Sequence, residues 1–224
     1  MQNQVNLYAG VHKGQRAKFS MISKEAGTLD ADDQNDLTSL ENEILSFREH
    51  MFRHAELEEK FIHPTLSERV PGGASRLNRE HKIMHRQLDD LAACLGEVKK
   101  KQDFEKRDEL SLEFYLAWNR LTSFYFSHID YEEEVVMPCL WKLCTFDELA
   151  GAFRKILADQ TPSELIYTLT MTIPAINPNE RTAMFNQARA ASPPEAFQAG
   201  LKIAEHILTP MDWSSLKKSL NLES

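Results

Sequence analysis

The stretch LTSLENEILSFREHMFRHAELEEKF, residues 37–61, carries the pattern from which the fold can be predicted. Residues of one stripe recur there at alternating spacings of three and four: Leu37, Leu40, Ile44, Phe47, Met51, His54, Glu58 and Phe61. This spacing is typical of an amphipathic helix whose stripe faces a packed interior. His54 and Glu58 are polar members of the stripe, and each is costly to bury without a compensating charge. A metal ion would supply that charge.

The same combination recurs further along the chain. A second stripe consists of Trp118, Leu121, Tyr125, His128, Glu132, Val135 and Cys139. Here too a His is followed by a Glu four residues later, which is about one helical turn. Two such pairs on two core-facing stripes predict a shared metal site.

Two further amphipathic stretches extend the pattern. The predicted helices run approximately over Gln4–Lys24, Asp36–Arg69, Ala74–Lys100 and Phe104–Met137. His12 lies on the core-facing stripe of the first helix, and His81 lies on that of the third, with His85 one position to the side. Pro138 is expected to end the fourth helix. Long amphipathic helices joined by short loops favour an all-α fold, an up-and-down four-helix bundle.

The composition narrows the choice of partners. The 224 residues include 26 Lys and Arg against 34 Asp and Glu, a net charge of -8, which argues against nucleic acid or an anionic membrane as the main partner. No apolar run approaches membrane-spanning length, and the N-terminus lacks the build of a signal peptide. Cys94, Cys139 and Cys144 form no CxxC motif and suit a reducing compartment. We therefore expect a soluble cytoplasmic protein.

The character of the chain changes after residue 145. Shorter helical stretches punctuated by prolines follow, which predicts two domains: residues 1–145, the bundle with its metal site, and residues 146–224, a C-terminal helical module. We find no strand pattern, no Gly-rich phosphate loop and no fixed-period repeat. The module is a candidate for homo-oligomer formation, and its His206 has no partner four residues away.

The candidate ligands form a set too large for one tetrahedral ion. They are His54 with Glu58, His81 with His85, His128 with Glu132, and His12 on the first helix. Residues four apart on a helix are neighbours, so each pair can chelate locally. Imidazole with carboxylate suits iron, zinc or manganese, and the lack of sulfur disfavours a structural zinc or an iron–sulfur cluster. Two six-coordinate ions bridged by Glu58 and Glu132 would use the whole set.

These motifs resemble the hemerythrin family, whose members bind a pair of irons inside a four-helix bundle. The resemblance covers roughly residues 4–140 and rests on HK at 12–13, HAELE at 54–58, HKIMH at 81–85 and HIDYE at 128–132. It implies that His81, His85 and His128 hold one iron and that His12 and His54 hold the other. Glu58 and Glu132 would bridge the two irons, and the second iron would keep an open position.

One departure from the oxygen-carrying members bears on function. Those members have an Asp five residues after the His of the fourth helix, whereas the stripe here selects Glu132 at four. This favours the sensor or stress-related relatives over reversible oxygen carriers. The leading hypothesis is a di-iron protein that binds oxygen, nitric oxide or peroxide at the open position, a binding or sensing protein rather than an enzyme.

Three other readings compete with this hypothesis. A ferritin-like oxidase or ferroxidase would carry Glu-x-x-His pairs, and no His in this chain has a Glu three residues before it. The second alternative is an iron storage or repair protein. The third is a structural bundle whose histidines bind no metal.

Several residues lie near the predicted ligands without being ligands themselves. His50 is off the stripe and is expected either to support a ligand or to lie at the surface. His63, just before Pro64, is expected to face outward. Tyr8, Gln15 and Tyr125 lie about one turn from ligands and could hydrogen-bond to a bound species or to a ligand's second nitrogen.

Overall fold

A computed structural model describes residues 4–222 of the chain, apart from the side chain of Phe104. Within that range all regular elements are helical and none is a strand, so the all-helical class is confirmed. The helices are α1 (Ala9–Gly27), α2 (Gln34–Phe61), α3 (His63–Arg69), α4 (Ser75–Lys100), α5 (Phe104–Tyr131), a π-helical segment (Glu132–Val136), α6 (Met137–Leu143), α7 (Phe146–Asp159), α8 (Pro162–Ala175), α9 (Pro178–Ala191), α10 (Pro194–Ile207) and α11 (Pro210–Ser219). None of the helices described is long and apolar enough to cross a membrane.

The chain divides into two compact units. The first comprises Lys18–Asp159 with the segment that ends at Tyr8, and the second comprises Ala9–Ala17 with the chain from Gln160 onward. Helix α1 is continuous across Ala17 and Lys18, so it contributes to both units. Helix α7 groups with the first unit, and the predicted division into residues 1–145 and 146–224 stays a prediction.

Helices α2 and α5 of the first unit begin where short acidic side chains cap them. The carboxylate of Asp33 accepts a hydrogen bond from the Asn35 backbone N–H before α2, and Asp103 accepts one from Lys106 before α5. Such caps satisfy backbone donors that have no partner inside the helix. The helix starts follow from this local chemistry.

An aromatic cluster fills part of the core of the first unit. The ring of Phe19 stacks on Tyr125 at 4.7 Å between centroids and meets the ring of Phe47 edge-on at 4.9 Å. The indole N–H of Trp118 donates to the Phe19 carbonyl at 3.1 Å. All of these side chains are fully buried. Because the cluster lies on the predicted stripes, it confirms their orientation toward the interior.

The predicted second helix is in fact two helices. Helix α2 ends at Phe61, where the Ile62 backbone N–H still bonds to the Glu58 carbonyl at 2.9 Å, and α3 begins at His63 with Pro64 in its first turn. Proline is tolerated in the first turn because no intrahelical donor is needed there. The stripe counted from residue 37 therefore cannot be continued past Phe61.

The predicted end of the fourth helix is wrong, because the chain stays helical through Pro138 to Leu143. A π-helical segment, Glu132–Val136, precedes the proline. A π turn holds an extra residue, so the core-facing stripe shifts by one position. Val135, which the sequence stripe placed inside, is 49% exposed, whereas Val136 and Leu140 are buried.

The segment before α1 is not helical, in contrast to the expected start at Gln4. The indole N–H of Trp141 donates to the Val5 carbonyl at 2.8 Å. Leu7 and Tyr8 join a buried cluster with Ile62 and Met137. Tertiary contacts rather than helix formation therefore fix this part of the chain.

The expectation of no fixed-period repeat is wrong for the second unit. Helices α8, α9, α10 and α11 each open with a proline, and these prolines recur every 16 residues at Pro162, Pro178, Pro194 and Pro210. Thr161 with Glu164 and Asn177 with Glu180 form capping boxes. The repeat consists of capping residues rather than of one apolar motif, so a search for a repeated apolar pattern misses it.

A buried arginine ties the helices of the second unit together. Arg181 is 4% exposed, and its guanidinium donates to the carbonyls of Ile173 and Ile176 at 3.0 Å each. It also donates to the carboxylate of Asp212 at 3.2 Å. One side chain on α9 thus satisfies carbonyls at the end of α8 and pairs with the start of α11.

The first half of α1 packs within this second unit. Lys13 pairs with Glu180 at 2.5 Å. A Cβ atom added to Gly14 would lie 3.1 Å from the backbone of Met171, so glycine permits the close approach of α1 to α8. The N-terminal nine residues of α1 thus belong structurally with the chain from Gln160 onward.

Candidate metal centre

Four buried polar side chains meet inside the first unit. Glu58 comes from α2, His81 from α4, His128 from α5 and Glu132 from the π-helical segment, and none exposes more than 3% of its surface. One potential ligand atom from each lies within 4.8 Å of those of the other three. Two imidazoles and two carboxylates thus converge from α2, from α4 and from the continuous helical stretch of α5 and the π-helical segment.

The ring nitrogens of both histidines point at the carboxylates. His81 Nε2 lies 3.3 Å from Glu58 Oε2, and His128 Nε2 lies 3.3 Å from Glu132 Oε1. Burial alone would lower the pKa of His81, but the acceptors on Glu58 and Glu59 outweigh it and raise that pKa to about 10. The carboxylates around His81 therefore stabilise positive charge at this point of the core.

A third histidine makes Glu58 a two-sided acceptor. His54 Nε2 lies 3.1 Å from Glu58 Oε1, the oxygen that does not face His81. A carboxylate whose two oxygens face different imidazoles has the arrangement needed to bridge two ions. Oxygen and nitrogen donors without sulfur fit iron, manganese or zinc.

The tyrosine that precedes α1 is buried within the reach of the charges of both carboxylates. Tyr8 is fully buried, and burial first, then the charges of Glu132 and Glu58, hold its pKa well above the usual value. The phenol therefore stays protonated. Tyr125, by contrast, lies beside His128, with 6.0 Å between ring centroids.

His12 is buried on α1, as its stripe predicted. It belongs to the part of α1 that groups with the second unit. Its role as a ligand stays a prediction. Gln15 is also buried, and its expected hydrogen bond to a bound species or to a ligand's second nitrogen stays a prediction too.

The predicted ligand His85 is partly buried and packs on an aromatic ring. Its centroid lies 4.0 Å from that of Phe52, and the Arg48 guanidinium lies 4.3 Å from the Phe52 ring centre. Across the described residues, the clusters of potential ligand atoms do not include His85. Its ligation stays a prediction.

Two carboxylates outside the predicted set contact the Nδ1 atoms of the candidate ligand histidines. Glu59 Oε1 lies 3.0 Å from His81 Nδ1, and Glu80 Oε2 lies 2.8 Å from His128 Nδ1. These contacts fix the rings so that Nε2 faces the centre. Sequence reasoning missed both residues, because they lie off the stripes; the available signal was their position directly beside Glu58 and His81.

His63 does not face outward, and that prediction is wrong. Its residue surface is 3% exposed, its Nδ1 lies 2.5 Å from Asn78 Oδ1, and its ring stacks on His81 at 5.4 Å. Burial lowers the pKa of His63, and the negative charge of Glu58 opposes this. The break at Ile62 starts a new helix, so the outward register of α2 no longer applies to residue 63.

The remaining histidines fit the sequence expectations. His50 is partly buried, with its ring 6.3 Å from that of His54, and burial and then His54 lower its pKa to about 3. His50 was expected either to support a ligand or to lie at the surface, and its position beside His54 fits the first alternative better. His206 is exposed on α10. Cys94, Cys139 and Cys144 are free thiols, as expected.

The helical fold and the buried cluster of imidazoles and carboxylates define a helical cation-binding protein. The family model of the hemerythrin HHE cation binding domain matches residues 3–140, and the chain belongs to that family. No curated protein and no solved structure matches the chain. Helices α8 to α11 lie beyond the matched residues.

Proposed function

We propose that the chain is a non-haem di-iron protein that binds oxygen or a related small oxidant, nitric oxide or peroxide, at an open iron position, and that it acts in sensing or stress response. Glu58 carries the proposal, because its two oxygens face His54 and His81 separately. In this proposal α1, α2, α4 and α5 form an up-and-down four-helix bundle around the pair of ions.

The proposed ligand set follows the family resemblance. Glu58 and Glu132 would bridge the ions. His81, His85 and His128 would hold one ion, and His12 and His54 would hold the other. Potential ligand atoms of Glu58, His81, His128 and Glu132 lie within 4.8 Å of one another, which supports these four members of the set. Zinc or manganese suits the same donors.

The protein's own residues prepare the centre in three ways. Glu59 and Glu80 orient His81 and His128 through their Nδ1 atoms. The buried aromatic cluster excludes water, which strengthens electrostatic interactions inside. Tyr8, kept protonated, offers a phenol beside the carboxylates. Bound iron would supply the redox chemistry.

Two further parts of the proposal rest on sequence alone. A cytoplasmic location follows from the free cysteines and the composition. Self-association through residues 146–224 follows from the presence of a helical module outside the family domain.

The test is the metal content of the purified full-length protein. We expect close to two irons per chain and, after oxidation, near-ultraviolet absorption from a bridged ferric pair. Changing Glu58 or Glu132 to Ala should remove most of the iron, because each would leave histidines without the shared carboxylate. Glu56→Ala and His206→Ala, both at exposed positions, should retain it.

Two outcomes would overturn the proposal. One is a wild-type protein that cannot be loaded with iron. The other is equal iron content in the Glu58, Glu132 and control variants, which would show that the buried cluster is not the site.

A further inference from the structure

The metal centre has a buried histidine next to it that the family resemblance does not use. His63 is the first residue of α3, where the break after Phe61 turns the chain. Its ring lies nearly parallel to that of His81, with 21° between the planes and 5.4 Å between centroids. His63 is therefore a neighbour of the centre rather than a surface residue.

The hydrogen bond to Asn78 decides which nitrogen of His63 has a free lone pair. Asn78 Oδ1 is an acceptor 2.5 Å from Nδ1, so Nδ1 carries the hydrogen. In that neutral tautomer Nε2 is an acceptor. Nε2 points away from Asn78, is buried, and has no hydrogen-bond partner among the residues that the structure describes. A buried acceptor in this state is costly unless something donates to it.

His63 lies too far from the cluster to share its ion. His63 belongs to none of the groups of potential ligand atoms that lie within 4.8 Å of one another among the described residues. Its buried Nε2 needs a donor and its ring stacks on a candidate ligand histidine, so a protic species bound in the centre can supply that donor. Hydrogen peroxide carries O–H donors, whereas oxygen and nitric oxide carry none.

We propose that His63 Nε2 accepts a hydrogen bond from a protic ligand in the metal centre and so selects hydrogen peroxide over oxygen and nitric oxide. This inference rests on the di-iron function proposed above. Asn78 acts as the positioning residue, because it holds the tautomer that leaves Nε2 free to accept.

Two substitutions of His63 separate the roles of its two nitrogens. His63→Asn places an amide near the Nδ1 position, so it can keep the contact to Asn78 and removes the acceptor at Nε2. His63→Gln reaches the Nε2 position with an amide oxygen and keeps an acceptor there. His206→Asn on α10 is the matched control for a histidine lost elsewhere.

The experiment uses full-length iron-loaded protein and measures iron content, the affinity of the oxidised form for hydrogen peroxide, and the affinity of the reduced form for nitric oxide. We expect His63→Asn to keep its iron and its nitric oxide affinity but to bind peroxide about five- to tenfold more weakly, the effect of one hydrogen bond. His63→Gln and His206→Asn should stay within about twofold of the wild type.

Each other result counts against the inference. Loss of iron in His63→Asn, or equal weakening of peroxide and nitric oxide, would make His63 a structural or ligating residue. Unchanged peroxide affinity in His63→Asn would show that His63 does not contact the ligand, and it would leave the di-iron proposal intact. A wild-type protein without iron would instead fail the proposed function itself.

Discussion

At the scale of single residues, the candidate ligands His81 and His128 differ in the carboxylate that contacts their Nδ1 atoms. Glu80, 15% exposed, bonds to His128 and also accepts from Arg76 Nε at 2.8 Å. Glu59, 43% exposed, bonds to His81 from a position open to solvent. Burial alone would raise the pKa of Glu80, but its bonds to His128 and Arg76 lower it. His128 is therefore held the more firmly of the two.

Replacing Glu80 and Glu59 by glutamine, one at a time, should show how much each carboxylate contributes to iron affinity. We expect Glu80→Gln to weaken iron binding by about tenfold or more, because outer partners of metal-bound histidines carry that much affinity. Glu59→Gln should weaken it less, because solvent can replace an exposed acceptor. Competition with a chelator would measure both affinities.

Glu56→Gln is the matched control, since Glu56 lies on α2 and pairs with Arg53 at a 63% exposed position. An effect of Glu56→Gln as large as that of Glu80→Gln would mean that net charge, and not the bond to His128, sets the affinity.

At the scale of helices, the sequence predicts the stripes well and their interruptions poorly. The three/four spacing correctly predicted the core-facing side for five polar residues: His54, Glu58, His81, His128 and Glu132. In an uninterrupted α-helix, the spacing of residues determines the side of the helix on which they lie. Spacing carries no information about a break or an extra residue within a turn. The missed features, the break at Ile62 and the π-helical segment Glu132–Val136, are both of this kind.

The parts of the site that the sequence did not predict have the same origin. His63 became buried because α3 starts a new register, and Glu80 reaches His128 across helices, 48 residues along the chain. Contacts between side chains that are distant in sequence depend on how helices pack, which periodicity within one helix does not encode.

The π-helical segment should matter more for the metal than for the fold. Deleting Val135, which is 49% exposed, would allow a regular α-helix and keep the buried faces on either side. We expect the deleted protein to stay folded, with unchanged far-ultraviolet circular dichroism, but to lose much of its iron, because the deletion changes the turn in which Glu132 lies.

The substitution Val135→Ala controls for loss of the side chain alone and should keep full iron content. If the deletion variant also keeps its iron, the segment serves packing of Val136 and Leu140 and has no part in presenting Glu132.

At the scale of the whole molecule, the two compact units do not follow one another along the chain. The second unit takes Ala9–Ala17 from the beginning and the chain from Gln160 onward. The family match covers residues 3–140, so it includes the part of α1 that packs with α8. A boundary drawn from composition near residue 145 cannot show this, because a discontinuous unit has no single boundary.

Two glycines on α1 provide a matched test of that packing. A Cβ at Gly10 would meet nothing within 4 Å, whereas one at Gly14 would lie 3.1 Å from the Met171 backbone. Gly10→Ala should stabilise the protein by up to about 1 kcal/mol through helix propensity. Gly14→Ala should destabilise it by about 1–3 kcal/mol, as overpacking does.

Thermal unfolding followed by circular dichroism would measure both changes, each kcal/mol moving Tm by about 2–4 °C in a chain of this size. Equal stabilisation by the two substitutions would show that α1 and α8 do not approach as closely in solution.

The discontinuity of the second unit also sets an order of events during synthesis. Lys13 leaves the ribosome early, but its partner Glu180 follows 167 residues later. At about 5–20 residues per second, that is a delay of about 8–33 s. The first half of α1, which carries the predicted ligand His12, cannot pack against the second unit until that interval has passed. We therefore expect iron to be inserted into the finished polypeptide rather than into the nascent chain.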